Sequence, residues 1–271
     1  MTKISRLGML TPSSNTVVEP VTTAMLSGIA DVSVHFSRLK VTAIAASDTS
    51  DRQFAESEIL RAADLLADAR VDVIAWNGTS ASWLGFARDE RVCERIAAAT
   101  GTAACTSVLA FREIFARTGV TRVGLVTPYI DAIQAKIIAN FAGAGIACPA
   151  ERHAGLTENF AFAEVGERDI GEMARAVAGA GVDAIAIMCT NMRGARLAES
   201  LEAELGVPVY DSIATTVWKS LLLAGIPPGR VRGWGGLFAN PRLGQLHQHA
   251  SCISAPRARA NQHEEISPPA H

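Results

Sequence analysis

The chain has 271 residues, of which 49% are hydrophobic and 19% charged, with a formal net charge of −2 at pH 7. That is material for one large or two medium globular domains, and the near-neutral balance excludes capture of nucleic acid through a clustered basic surface. No apolar run approaches the ~18 residues of a membrane span, and "MTKISRLGML" enters a strand-like segment without a signal-peptide core, so a cytoplasmic protein with no membrane partner is expected.

In chain order, β-type runs fall at 5–10, 32–36, 71–77, 102–105, 122–127, 183–188 and 207–210. Between them lie amphipathic, Ala/Leu-rich stretches at about 16–27, 51–69, 88–100, 107–118, 130–143, 166–179, 193–204 and 212–224. Short apolar strands alternating with helices predict an α/β fold of right-handed βαβ units on mostly parallel sheet. After about residue 240 the character changes. "HQHASCISAPRARANQHEEISPPAH" is polar and aperiodic, so 241–271 reads as a loosely ordered tail. His247 and His249 have the chemistry of metal ligands, but a solvated tail is the simpler account.

The chain also repeats itself. "SRLGMLTPSSN" at 5–15 and "TRVGLVTPYID" at 121–131 share Arg-x-Gly-x-x-Thr-Pro, 116 residues apart. "VDVIAWNGTS" at 71–80 and "VDAIAIMCTN" at 182–191 share Val-Asp-x-Ile-Ala, 111 residues apart. A weaker pair sets "TGTAACTSVLA" at 100–110 against "LGVPVYDSIAT" at 205–215, 105 residues apart. Three matches in one order imply a duplicated α/β unit. The expected organisation is a first domain over 1–105 plus about 212–240, and a second over 106–211.

In parallel sheets, ligands sit beyond the C-terminal strand ends. Pseudo-symmetric halves facing each other would therefore gather four tips around one cleft: Thr11-Pro12-Ser13, Thr127-Pro128-Tyr129, Gly78-Thr79-Ser80 and Cys189-Thr190-Asn191. Five cysteines (93, 105, 148, 189 and 252) form no C-x-x-C pair, which supports neither a disulfide framework nor a structural zinc site. Cys189 alone stands at a repeated tip. A helix beginning near Arg193 would point its free N–H groups at that thiol and favour the thiolate. Thr79, Ser80, Ser13, Ser14, Asn15 and Thr16 either cap helices or aim donors into the cleft. Tyr129, one of two tyrosines, would bring a further hydroxyl.

No G-x-G-x-x-G follows the first strand, and no P-loop, H-E-x-x-H or G-x-S-x-G motif is present. "GWGG" at 233–236 reads as a turn, and His35 and His153 are isolated in sequence. Neither metal nor nucleotide cofactor is called for. One thiol within a ring of neutral donors suits carbon-acid chemistry, in which the donors stabilise an enolate-like intermediate and the thiol moves a proton.

Taken together, "LTPSSNTVVEP", "GTSASW", "TPYIDAI", "ENFAFAE" and "CTNMRG" resemble the aspartate/glutamate racemase superfamily, in its branch of maleate cis-trans isomerases and arylmalonate decarboxylases. The resemblance runs from about residue 4 to "GWGGLF" at 233–238. It implies two similar α/β domains, a site between them and no cofactor. Racemases and maleate isomerases use two cysteines, one from each half; carried over, the second is Cys189 and the first falls on Gly78. Arylmalonate decarboxylases are the similar case here, with Gly-Thr-Ser at the first position and a single cysteine at the second. There, hydroxyls matching Thr79, Ser80 and Tyr129 bind the retained carboxylate and the developing enediolate, and the cysteine protonates one face. "PSSNT" and "CTN" resemble instead the maleate isomerase version, whose asparagines matching Asn15 and Asn159 hold substrate carboxylates.

The expected function is cofactor-independent decarboxylation of a malonate-type acid, with Cys189 as proton donor. Asn15, Thr79, Ser80, Tyr129, Asn159, Thr190, Asn191, Pro12 and Ser13 are the expected substrate contacts. A maleate isomerase or racemase is the alternative enzyme, weakened because Gly78 can serve as neither nucleophile nor base. A non-catalytic carboxylate-binding protein is the alternative from another class. Association into a homo-oligomer stays open.

Overall fold

The computed structural model describes residues 3–44 and 56–245. Strands β1 (Ser5–Pro12), β2 (Val32–Leu39), β3 (Val73–Trp76) and β4 (Ala103–Thr106) form one parallel sheet in the order β2-β1-β3-β4. Strands β5 (Arg122–Thr127), β6 (Ala147–His153), β7 (Ala184–Ile187) and β8 (Val209–Asp211) form a second in the matching order β6-β5-β7-β8. The α/β class and the duplication are therefore as the repeats predict.

The repeated residues have a structural reason at the start of each strand. The Asp72 carboxylate accepts the Arg6 backbone N–H at 2.8 Å, and Asp183 accepts that of Arg122 at 2.9 Å. In each half, then, the Val-Asp motif latches onto the Arg-x-Gly motif of the neighbouring strand. The glycines in that motif let a helix approach. A Cβ on Gly8 would lie 3.2 Å from Leu66 of α2 (Glu56–Asp68), and one on Gly124 2.8 Å from Val177 of α7 (Glu167–Ala178).

Strand β6 is absent from the sequence-based expectation because "ACPAERH" has no apolar run. It is a half-exposed edge strand, and Pro149 lies where the register to β5 shifts, which an edge tolerates. The short helix α3 (Ala81–Leu84) was also unforeseen; it breaks at Gly85, whose φ of 99° ends one helix before α4 (Phe86–Thr100) begins. The helix expected from 193 begins later, as a 3₁₀ turn at Ala195–Leu197 followed by α8 (Ala198–Leu205).

The halves exchange helices. In α5 (Ser107–Thr118), which follows β4, Phe115 packs its ring on Tyr210 of β8 and on Phe141 of α6 (Asp131–Gly143). Conversely, α9 (Ser212–Leu223), which follows β8, packs on β3, β4 and α1 (Val18–Leu26). On these contacts we propose the domain division at 106–211 described above. The tail starts later than 241: Pro241–Leu243 is a 3₁₀ turn with Leu243 buried, and the Leu243 carbonyl accepts the Trp218 indole N–H at 2.9 Å. His247, His249 and Cys252 lie outside the described residues. Among the described residues no helix is long and apolar enough to cross a membrane.

Candidate active site

The four strand tips meet. Thr79 Oγ1 and the Tyr129 hydroxyl lie 2.6 Å apart across the halves. Thr190 Oγ1 donates to the Asn77 carbonyl at 3.0 Å and accepts from Asn15 Nδ2 at 3.2 Å. Gly78 and Cys189 thus stand next to one interhalf contact, each one residue from it.

Cys189 follows β7 and is 3% exposed. Its sulfur accepts the Asn191 backbone N–H at 3.4 Å. The expectation of a helix N-terminus holding a thiolate is corrected. The helix starts too late to reach the sulfur, and burial pushes the Cys189 pKa up to about 12. The Asn191 N–H and the Tyr129 hydroxyl pull the other way, while the Asp211 carboxylate adds to the rise. At neutral pH this cysteine is a thiol.

Tyr129 is fixed from two sides. Its ring meets Trp83 at 5.3 Å and Phe162 at 5.4 Å between centroids, both edge-on, which leaves its hydroxyl end on Thr79 and Cys189. Burial, then the neighbouring Cys189, keep the phenol protonated well beyond its usual range. Its backbone N–H donates to Thr127 Oγ1, which reaches Gln134 and then Glu151. His153, isolated in sequence, bridges Glu151 and Asp131 at 2.7 and 2.6 Å on the outer side of this chain.

Ser80 sits at the N-cap of α3, yet its hydroxyl makes no cap bond. Thr79 and Ser80 are both buried, and the Thr79 hydroxyl meets that of Tyr129. The other expected contacts lie together too, with their polar atoms engaged on one another. Asn15 Oδ1 accepts from Val17 and Val18, so this residue caps α1. Asn191 accepts the Thr16 N–H and donates to the Asn159 carbonyl at 2.5 Å. Asn159 Nδ2 donates to Ser14, which donates to the Val41 carbonyl. Ser13, just beyond Pro12 at the end of β1, exchanges hydrogen bonds with Val41. This is a clasp between the halves, closed by the Ala43–Glu158 bridge.

Four residues in or behind these tips escaped the sequence reading. Asn77 is fully buried and its amide donates to the Leu10 carbonyl at 3.2 Å. Arg38 holds the Ser13 and Asn15 carbonyls while pairing with Glu19, so this cation serves the loop. Asp211 caps α9 through Oδ1, its Oδ2 has no partner, and burial lifts its pKa to about 7. Trp76 ends β3, two residues before Gly78, and is buried at 1% exposure. Among the described residues no group of three or more His, Cys, Asp or Glu is arranged to hold a metal ion.

The sequence and the fold have counterparts among known proteins. The maleate isomerase of Nocardia farcinica is 28% identical over 265 residues, covering 93% of this chain and 99% of that one. The structure of a cysteine-to-serine mutant of the Nocardia farcinica maleate cis-trans isomerase, with a covalently bound succinylcysteine intermediate, superposes with a TM-score of 0.80 at 25% identity, covering 87% and 98% of the two chains. A glycine-to-cysteine mutant of arylmalonate decarboxylase, in its sulfate-associated form, superposes at 0.73 and 25% identity, covering 87% and 100%. The family model for arylmalonate decarboxylase matches residues 7–238, which spans both sheets and all four tips: the chain belongs to the arylmalonate decarboxylase family, within the racemase superfamily branch that includes the maleate isomerases.

Proposed function

We propose that this protein is a cofactor-independent decarboxylase of a malonate-type acid. The observation that carries the reading is the lone, protonated thiol: Cys189 is held as an acid by burial, and its counterpart is Gly78. Thr79, Ser80 and Tyr129 donate to the carboxylate that stays. The bond to the other carboxylate breaks, its electron pair moves into the enediolate, and carbon dioxide leaves. The hydroxyl donors stabilise the charge as it develops on the enediolate oxygens. The Cys189 S–H bond then breaks as a new C–H bond forms, and the thiolate regains a proton from solvent. A carbanion is far more basic than a thiolate, so even an acid of pKa about 12 suffices.

The test is release of carbon dioxide from 2-methyl-2-phenylmalonate, with chiral analysis of the 2-phenylpropionate formed. One enantiomer in excess is expected; no turnover of any arylmalonate or alkylmalonate would refute the reading. Maleate isomerisation is the second reading, favoured by the extent of the Nocardia relative's match and by the asparagine-rich clasp. The Nocardia enzyme's mutant carries its intermediate on a cysteine, whereas here the tip cysteine is a thiol of low thiolate content. Conversion of maleate to fumarate without malonate decarboxylation would establish the second reading.

A further inference from the structure

The tip after β3 contains a glycine for a reason that lies two residues earlier. Trp76 is the last residue of β3, and the chain beyond it brings Gly78 back against the indole. A Cβ on Gly78 would overlap Cε2 and Cζ2 of the Trp76 indole and stand 2.6 Å from its Nε1. Trp76 is 1% exposed, and the register places it between Leu10 of β1 and Thr106 of β4, so the ring cannot swing into solvent to make room. The other half solves the same volume differently. There Ile187 stands at the position of Trp76, and its side chain turns toward Gly194, where a Cβ would lie 2.6 Å from Ile187 Cγ2. Bulk is exchanged between paired positions: Trp with Gly in one half, Ile with Cys in the other.

We infer that Trp76 is a specificity-determining wall of the site: its indole fills the space a side chain at 78 would take, which confines proton delivery to the Cys189 face and limits the group a substrate can place against Gly78. The proton-delivery half of this inference rests on the decarboxylase reading above; the filling of space does not.

The experiment is a double-mutant cycle on the full chain, read by thermal melting. Gly78→Cys should lower Tm by about 5 °C or more, or abolish soluble expression, because overpacking a close-packed site is destabilising. Trp76→Leu should also lower Tm, by opening a cavity. The double variant should be more stable than Gly78→Cys alone, since each change relieves the other. A Gly78→Cys protein that melts with the parent, or a double variant less stable than Gly78→Cys, overturns the inference. The second readout incubates enantiopure 2-phenylpropionate in deuterium oxide. Deuterium should appear in the antipode with the double variant above the parent's level. A double variant that melts as expected but labels no more than the parent overturns the claim that residue 78 faces the reacting carbon. A parent inactive on every malonate would refute the decarboxylase reading, while the melting cycle still decides the role of the indole.

Discussion

The tips after β3 and β7 descend from one piece of chain and now do opposite things. "WNGTS" ends in two hydroxyls, with Thr79 on Tyr129 of the partner half and Ser80 unused as a cap. "IMCTN" carries a thiol in an apolar setting, and its Thr190 and Asn191 are engaged in holding the halves together. One tip therefore has donors suited to an anion and the other an acid kept protonated by desolvation. Duplication supplies the symmetric frame; a single change of bulk at residues 76 and 187 decides which tip can hold a reactive side chain.

The comparison breaks most sharply at the thiol. Cys189→Ala should reduce malonate turnover ~10²–10⁴-fold, the range for losing a general acid, while far-UV circular dichroism and the melting cooperativity stay those of the parent. A variant with parental turnover would place the proton donor elsewhere.

The protonation state comes next. With its pKa at about 12 rather than the ordinary 9, Cys189 should present about 10³-fold less thiolate than a free cysteine near neutral pH. Alkylation by iodoacetamide at pH 8 should be slower than for an unfolded control by at least that factor. Turnover should hold through pH 9, where an ordinary thiol would be half ionised. The sign for stability follows from the same shift. The folded pKa exceeds the unfolded one, so the contribution is fully present below about 9 and is lost as pH rises toward 12. Alkaline melting of the parent against Cys189→Ala measures it.

On the hydroxyl side, Tyr129→Phe removes the donor that meets both Thr79 and Cys189. A loss of ~10²–10³-fold in kcat, with a smaller change in KM, is the expected pattern for a group that stabilises developing charge. A change confined to KM would make Tyr129 a ground-state contact only.

Smaller again is the clasp. Thr190→Val removes a donor to Asn77 and an acceptor for Asn15, both buried, and should cost ~1–3 kcal/mol in urea unfolding. Smallest is the scaffold latch: Asp183→Asn should leave turnover unchanged and mainly alter acid stability. Its carboxylate is held below the usual pKa range by the Thr121 and Arg122 N–H groups, so its contribution is lost as pH falls through that lowered value. Any kinetic effect of Asp183→Asn would mean that the strand starts and the tips are coupled.

Periodicity and self-similarity in the chain were enough to determine the α/β class, the duplication and the meeting of four strand tips. Those properties follow from local patterning: apolar runs of strand length, helices between them, and motifs repeated in order. Arg-x-Gly-x-x-Thr-Pro and Val-Asp-x-Ile-Ala were visible as repeats, yet their latch between Asp72 and Arg6, or Asp183 and Arg122, is a contact between strands far apart in sequence. Strand β6 stayed hidden because an edge strand needs no apolar run. The protonation of Cys189 was misjudged for a related reason. A thiolate was expected from a helix drawn too early, whereas the true balance depends on how deeply the sulfur is buried and on Asp211, a residue more than twenty positions away. Trp76 was the least legible of all. Only the packed structure shows that its ring fills the volume of residue 78, because steric exclusion belongs to the arrangement of side chains in space and leaves no periodic trace along the chain.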